Sequence, residues 1–217
     1  MWYKGRVRKK GLYIVFEGLV GSGKSVQSQL FVSRLQKEFP NRLVVWTREP
    51  GGSEIAGEIK RVVQGMLFNE EMDPICEQYL YAASRAQTLR TIVGPVLERN
   101  GIVVADRSVF TSLAFQGYGR GLEIGTVMEI NKVALGKIWP DIVVFLDLDL
   151  KVALARRKDT QGDKFEMMDK SFFTKVLKGY HEIAKKYKNL VKVVDGKGSV
   201  EKVAERVWEA VRGKIGA

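Results

Sequence analysis

The chain has 217 residues, 45% hydrophobic and 28% charged, an ordinary composition for one folded unit with a sizeable core. Its single cysteine, Cys76, excludes an internal disulfide and a cysteine-based zinc cluster, and no apolar stretch is long enough to span a membrane. The formal net charge of +11 points to a polyanionic partner: nucleic acid, an acidic surface or phosphorylated small molecules.

A basic arm of about ten residues, with Lys4, Arg6, Arg8, Lys9 and Lys10, comes first and reads as solvated. It is too short and too charged for a signal peptide, so a cytosolic protein is expected. Residues 12–16 form an apolar run suited to a buried strand. A glycine-rich turn follows, and then a helical pattern with Val26, Leu30 and Leu35 on or near one face. Four more apolar runs, 43–46, 102–105, 142–146 and 191–194, are continuous rather than alternating, as in parallel strands covered on both sides. Helical patterns at 53–67, 74–99, 123–135, 171–187 and 200–211 separate them, the second broken at Gly94-Pro95. Strands alternating with helices predict right-handed crossovers and a doubly wound α/β sheet with its ligands at the carboxyl edge. Cys76 is expected in a helix as a small apolar residue. His181, the only histidine, is expected on the surface of an amphipathic helix, which leaves histidine catalysis without a candidate.

The turn after the first strand reads G-L-V-G-S-G-K-S, Gly18, Leu19, Val20, Gly21, Ser22, Gly23, Lys24 and Ser25. This is the phosphate-loop spacing in its strand–turn–helix context. Backbone N–H groups and a helix N-terminus cradle the phosphates, Lys24 reaches the β- and γ-phosphates, and the Ser25 hydroxyl is offered to Mg²⁺. Two arginines follow strands: Arg48 in T-R-E-P-G-G and Arg107 in D-R-S. Placed at strand ends near a phosphate loop, both suit anion binding. Asp106, at the end of V-V-A-D, is placed to orient a metal shell. Beyond the fourth strand Arg156, Arg157, Lys158 and Lys164 crowd a polar segment suited to a closing lid that brings cations to a transferring phosphoryl group.

F-E-G-L-V-G-S-G-K-S, T-R-E-P-G-G, Y-A-A-S-R, D-R-S-V-F-T-S-L-A-F-Q-G, P-D-I-V-V-F-L-D and the basic segment ending D-K-F-E together resemble the thymidylate kinases, from about Leu12 to the C-terminal helix. The resemblance implies one P-loop nucleoside-monophosphate kinase domain over 1–217, with a five-stranded parallel sheet flanked by helices and a short basic lid at about 156–166. It implies phosphorylation of dTMP to dTDP by Mg·ATP, feeding dTTP synthesis, with dTMP, ATP and a second copy of the chain as partners and no nucleic acid. By position, Arg48 and Arg107 would hold the acceptor phosphate, Tyr81 would stack on thymine and Arg85 would contact the base. Ser112 and Gln116 would lie along the base edge and Phe115 near the deoxyribose. Arg156, Arg157 and Lys158 are the lid cations, which with Lys24 and Arg107 make up the catalytic set.

The chain departs from the family pattern at several positions. Tyr81 replaces a usual phenylalanine, Ser108 an aromatic or histidine, and lysines stand at 158 and 164 where arginine is usual. Val20 stands where the phosphate loop usually carries an acid; valine accepts no hydrogen bond, so an aspartate there is expected to speed the reaction. Two other readings stay open: a kinase for a different nucleoside monophosphate or deoxynucleoside, and a non-catalytic relative that binds nucleotide or nucleic acid.

Overall fold

The structure, a computed structural model, describes residues 11–65, 67–156, 165 and 168–215. Five parallel strands form one sheet in the order β2-β3-β1-β4-β5. In chain order the elements are β1 (Leu12–Glu17), α1 (Lys24–Glu38), β2 (Val44–Arg48), α2 (Glu54–Gln64) and α3 (Pro74–Thr88). A π-helical turn, Leu89–Val93, leads from α3 into α4 (Gly94–Glu98) and β3 (Ile102–Asp106). The short α5 (Val109–Ser112) continues as a π-helical run, Leu113–Gly119, ahead of α6 (Ile124–Leu135). The chain then forms β4 (Ile142–Asp147), α7 (Leu150–Arg156), α8 (Lys170–Lys186), β5 (Val191–Asp195) and α9 (Val200–Val211).

The continuous apolar runs are explained by burial on both faces. Tyr13, Val15, Val103, Ala105, Val143 and Phe145 join one core, which includes residues of α3, α5, α6 and α8. Their neighbours Ile14, Phe16, Ile102, Val104, Ile142 and Val144 join a second core with Phe31, Val32 and Leu35 of α1 and Val203, Val207 and Val211 of α9. Because β1 pairs with β3 on one side and β4 on the other, the strand order switches at β1, and the chain leaves it at the crevice where such sheets bind ligands.

Two helices and one side chain differ from expectation here. The buried face of α1 carries Gln27, Ser28, Phe31, Val32 and Leu35, whereas Val26 and Leu30 are exposed. Gln27 and Ser28 can turn inward because their polar atoms are bonded: Gln27 Nε2 donates to the Val200 carbonyl at 2.8 Å, and Trp46 Nε1 donates to Ser28 Oγ at 2.9 Å. The long helix departs from α geometry at Leu89, before Gly94-Pro95; Pro95 has no N–H to donate backward, and the preceding turn widens so that Gly94 N donates to Leu89 O. Cys76 is helical as expected, but exposed rather than packed.

Candidate active site

Each strand ends in an ionisable residue: Glu17, Arg48, Asp106, Asp147 and Asp195. Register makes the first three neighbours, since Arg48 pairs with Asp106 and Asp106 with Phe16, one residue before Glu17. The loop at Gly18–Ser25 therefore opens beside a row of charge.

Gly21 and Gly23 take positive φ angles of 80° and 86°, and Gly23 caps α1 in the left-handed conformation. A side chain at either position would strain that backbone. Lys24, the first residue of α1, is 7% exposed and donates from Nζ to the Leu19 carbonyl at 3.3 Å. Burial first, and Arg107 next, bring its ammonium down to about 8, against the opposing pull of Asp106 and Glu17. Ser25 Oγ donates to Asp106 Oδ2, while Asp106 Oδ1 is buried with no hydrogen-bond partner. A hydroxyl and a half-satisfied carboxylate at one point are hard oxygen donors that fit Mg²⁺.

Arg107 holds φ at 76°, rare for a residue with a side chain. Its Nη1 donates to the Gly18 carbonyl at 3.3 Å, Thr111 Oγ1 at 3.2 Å and Tyr180 OH at 3.4 Å, and its guanidinium lies 5.2 Å from the Phe115 ring centroid. Arg48, exposed at the end of β2, stands beside it at the sheet edge. Arg156 ends α7, and its Cβ lies 3.4 Å from where a Cβ on Gly21 would stand, so α7 delivers that residue to the phosphate loop. Arg157, Lys158 and Lys164 lie outside the described residues.

The residues expected to face the acceptor, with their partners, sit on two facing stripes with helical spacing. On α3 these are Glu77, Tyr81 and Arg85; opposite them are Ser112, Gln116 and Arg120. Arg85, 3% exposed, donates from Nε to Glu49 Oε2 at 2.7 Å, from Nη1 to Asn131 Oδ1, and from Nη2 to the Ser108 carbonyl and Ser112 Oγ at 3.0 and 3.2 Å. Burial pushes the Glu49 carboxyl up while Arg85 draws it back. At the other end, Glu77 accepts from Gln116 Nε2 at 2.8 Å and from Arg120 Nη2 at 3.0 Å. A carboxylate only accepts, so this contact fixes the Gln116 amide with its Oε1 turned away from Glu77. Tyr81 is buried between the two laced ends, and Gln64 Nε2 donates to its hydroxyl at 3.4 Å.

Lys24, Ser25, Asp106 and Arg107 thus come together at the end of β1, while Arg85 and Ser112 are bonded to each other and Gln116 to Glu77. Sequence reasoning passed over Glu17, Glu49, Glu77 and Asn131. Glu17 carried the same signal as Asp106, an acid closing an apolar run, and Glu49 lies within T-R-E-P-G-G; Glu77 and Asn131 had no such signal. His181 is half-exposed on α8, with Nε2 3.1 Å from Asp147 Oδ1.

Residues 16–207 match the family model described as thymidylate kinase. The chain is 40% identical over 198 residues to a thymidylate kinase of Kosmotoga olearia, covering 90% of this chain and 93% of that relative. It is 36% identical over 208 residues to one of Halothermothrix orenii, covering 94% and 98%. The crystal structure of thymidylate kinase from Ehrlichia chaffeensis superposes with a TM-score of 0.75 at 27% identity, over 93% of this chain and 98% of that one. The family match begins in β1, ahead of the phosphate loop, and ends in α9, taking in every candidate site residue named above: the chain belongs to the thymidylate kinase family.

Proposed function

We propose that this enzyme transfers the γ-phosphoryl group of Mg·ATP to dTMP, giving dTDP and ADP. The observation that carries the reading is the convergence of Lys24, the Ser25–Asp106 pair and Arg107 where β1 enters the phosphate loop. In-line phosphoryl transfer asks a protein for position and charge rather than for a covalent intermediate. The loop N–H groups and Lys24 hold the β- and γ-phosphates of ATP, and Arg48 and Arg107 hold the acceptor phosphate. Ser25 and Asp106 would hold Mg²⁺, which would supply charge neutralisation to the nucleotide phosphates. Arg156, with Arg157 and Lys158, brings cations to the transferring group, Tyr81 stacks on the base, and Arg85, Ser112, Gln116 and Phe115 shape its slot. The positive charge of the chain is assigned to nucleotide phosphates rather than to nucleic acid.

The enzyme is proposed to act in the cytosol as a homodimer. Support for the dimer comes from large apolar side chains exposed on the neighbouring helices α2, α3 and α6: Ile55, Val62, Tyr79 and Val133. Among the described residues no helix is long and apolar enough to cross a membrane. Light scattering at micromolar concentration tests the dimer.

The substrate assignment is tested by coupled ADP release with dTMP, dUMP, AMP, CMP and GMP at fixed Mg·ATP. The highest kcat/KM is expected for dTMP. A higher value for AMP, CMP or GMP would assign the fold to another monophosphate, and no turnover with any acceptor would leave a nucleotide-binding relative.

A further inference from the structure

Glu17 closes β1 just before the phosphate loop and is 1% exposed, yet no step described above uses it. A buried carboxylate needs compensation. Three hydroxyls give it: Ser108 Oγ donates to Oε1 at 2.7 Å, and Thr111 Oγ1 and Tyr180 OH donate to Oε2 at 2.6 and 3.0 Å. The same Thr111 and Tyr180 oxygens accept from Arg107 Nη1. A hydroxyl has one proton. With that proton given to Glu17, only lone pairs face the guanidinium, so the carboxylate sets both hydroxyls to accept from Arg107.

Arg107 depends on such support, because its left-handed backbone alone does not fix where the guanidinium points. We propose that Glu17 is the positioning residue for Arg107, orienting its guanidinium toward the acceptor phosphate through Thr111 and Tyr180 without touching substrate. The inference rests on the assignment of Arg107 to that phosphate. It also gives Ser108 a use. Where the family usually has an aromatic or histidine, this chain has the hydroxyl that satisfies the second Glu17 oxygen. Burial pushes the Glu17 carboxyl up, and Thr111, Arg107, Ser108 and Tyr180 together draw it back toward the charged form.

The test is a double-mutant cycle with dTMP varied at saturating Mg·ATP: wild type, Glu17→Gln, Arg107→Lys and the double variant. Glutamine puts an N–H donor where a carboxylate oxygen was, and that donor competes with Arg107 for the hydroxyl lone pairs. Glu17→Gln is expected to raise KM for dTMP about tenfold with a smaller change in kcat, and Arg107→Lys at least as much. The double variant should be no worse than Arg107→Lys alone, because the two residues act as one unit. Losses that multiply in the double variant would overturn the inference, and so would a wild-type KM for Glu17→Gln beside an impaired Arg107→Lys. Wild-type kinetics for Arg107→Lys would instead sink the assignment of Arg107, and the inference with it.

Thr111→Val and Tyr180→Phe keep the carboxylate and remove one bridging hydroxyl each, which decides the matter should Glu17→Gln not fold. Each is expected to raise KM for dTMP about threefold in the wild type and to leave it unchanged in the Arg107→Lys background. An unchanged KM for both in the wild type would overturn the proposal.

Discussion

Gly21 lies so close to Ala153 that a Cβ on the glycine would overlap the Ala153 carbonyl oxygen. The phosphate loop and α7 are therefore in backbone contact, and only glycine permits it. Gly21→Ala must either push α7 outward or distort a loop that already holds φ at 80°. The left-handed penalty alone is about 1 to 2 kcal/mol. We expect kcat/KM for Mg·ATP to fall at least about tenfold. Gly57→Ala, on α2 where an added Cβ meets nothing, is the control and should leave turnover unchanged. Equal kinetics for the two variants would show that the loop–helix contact has no part in ATP binding.

The same contact brings Arg156 to the loop. A cation that meets the transferring group only on closure stabilises the transition state more than the bound acceptor. Arg156→Ala should thus lower kcat about tenfold or more while changing KM for dTMP much less. A rise in KM for dTMP with kcat unchanged would instead place Arg156 on the acceptor.

Lys24 should show opposite effects on activity and stability. Its ammonium is buried and its pKa is lowered to about 8, so the charged form is penalised in the folded protein. Lys24→Met keeps the apolar stem and removes the charge. Turnover should fall by two to three decades, the scale of about 3 to 4 kcal/mol for a lost transition-state contact, while Tm rises. The sign with pH follows from linkage. Between the lowered folded value and the ordinary lysine value of about 10.4, the unfolded chain binds more protons, so the wild type gains stability as pH rises through that window. The Tm advantage of Lys24→Met is therefore greatest below pH about 8 and shrinks above it. Thermal melts across that range check the direction, and a constant difference would mean that the ammonium is not penalised on folding.

Strand interiors and the phosphate loop were legible because both are local signals, an apolar run and a fixed spacing. The strand ends were less so. A reading by hydrophobicity stops one residue before Glu17, Asp147 and Asp195, which lie at the same sheet edge as Asp106, the one strand-end acid that the motifs singled out. The inward face of α1 was misread because Gln27 and Ser28 become core residues only through partners at Val200 and Trp46. No spacing encodes the lacing of Arg85 to Glu49 and Asn131, which lie 36 and 46 residues away. The four-residue α5 and its π-helical continuation were passed over because neither has the length that periodicity needs.

Val20 is where packing in the structure supports a second outcome beside the one the family pattern suggests. From sequence alone, an acid at this position, usual in the family, should restore a missing hydrogen bond and speed the reaction. In the structure Val20 is half-buried and packs against the core cluster that includes Leu19 and Ala153. An aspartate would place a carboxylate in that apolar contact, beside the phosphates that Lys24 and the loop are set to hold. Both effects are unfavourable: desolvation of the charge, and repulsion from the nucleotide. We therefore expect Val20→Asp to lower kcat/KM for Mg·ATP about tenfold and to reduce Tm. Val20→Asn separates the causes, since it has the shape of aspartate without the charge. If packing dominates, both variants lose Tm alike and differ little in kinetics. If charge dominates, Val20→Asn keeps near-native kcat/KM while Val20→Asp loses it. A faster Val20→Asp enzyme, with discrimination against the 3′-deoxy analogue of dTMP gained at the same time, would show that a side chain at this position reaches the sugar.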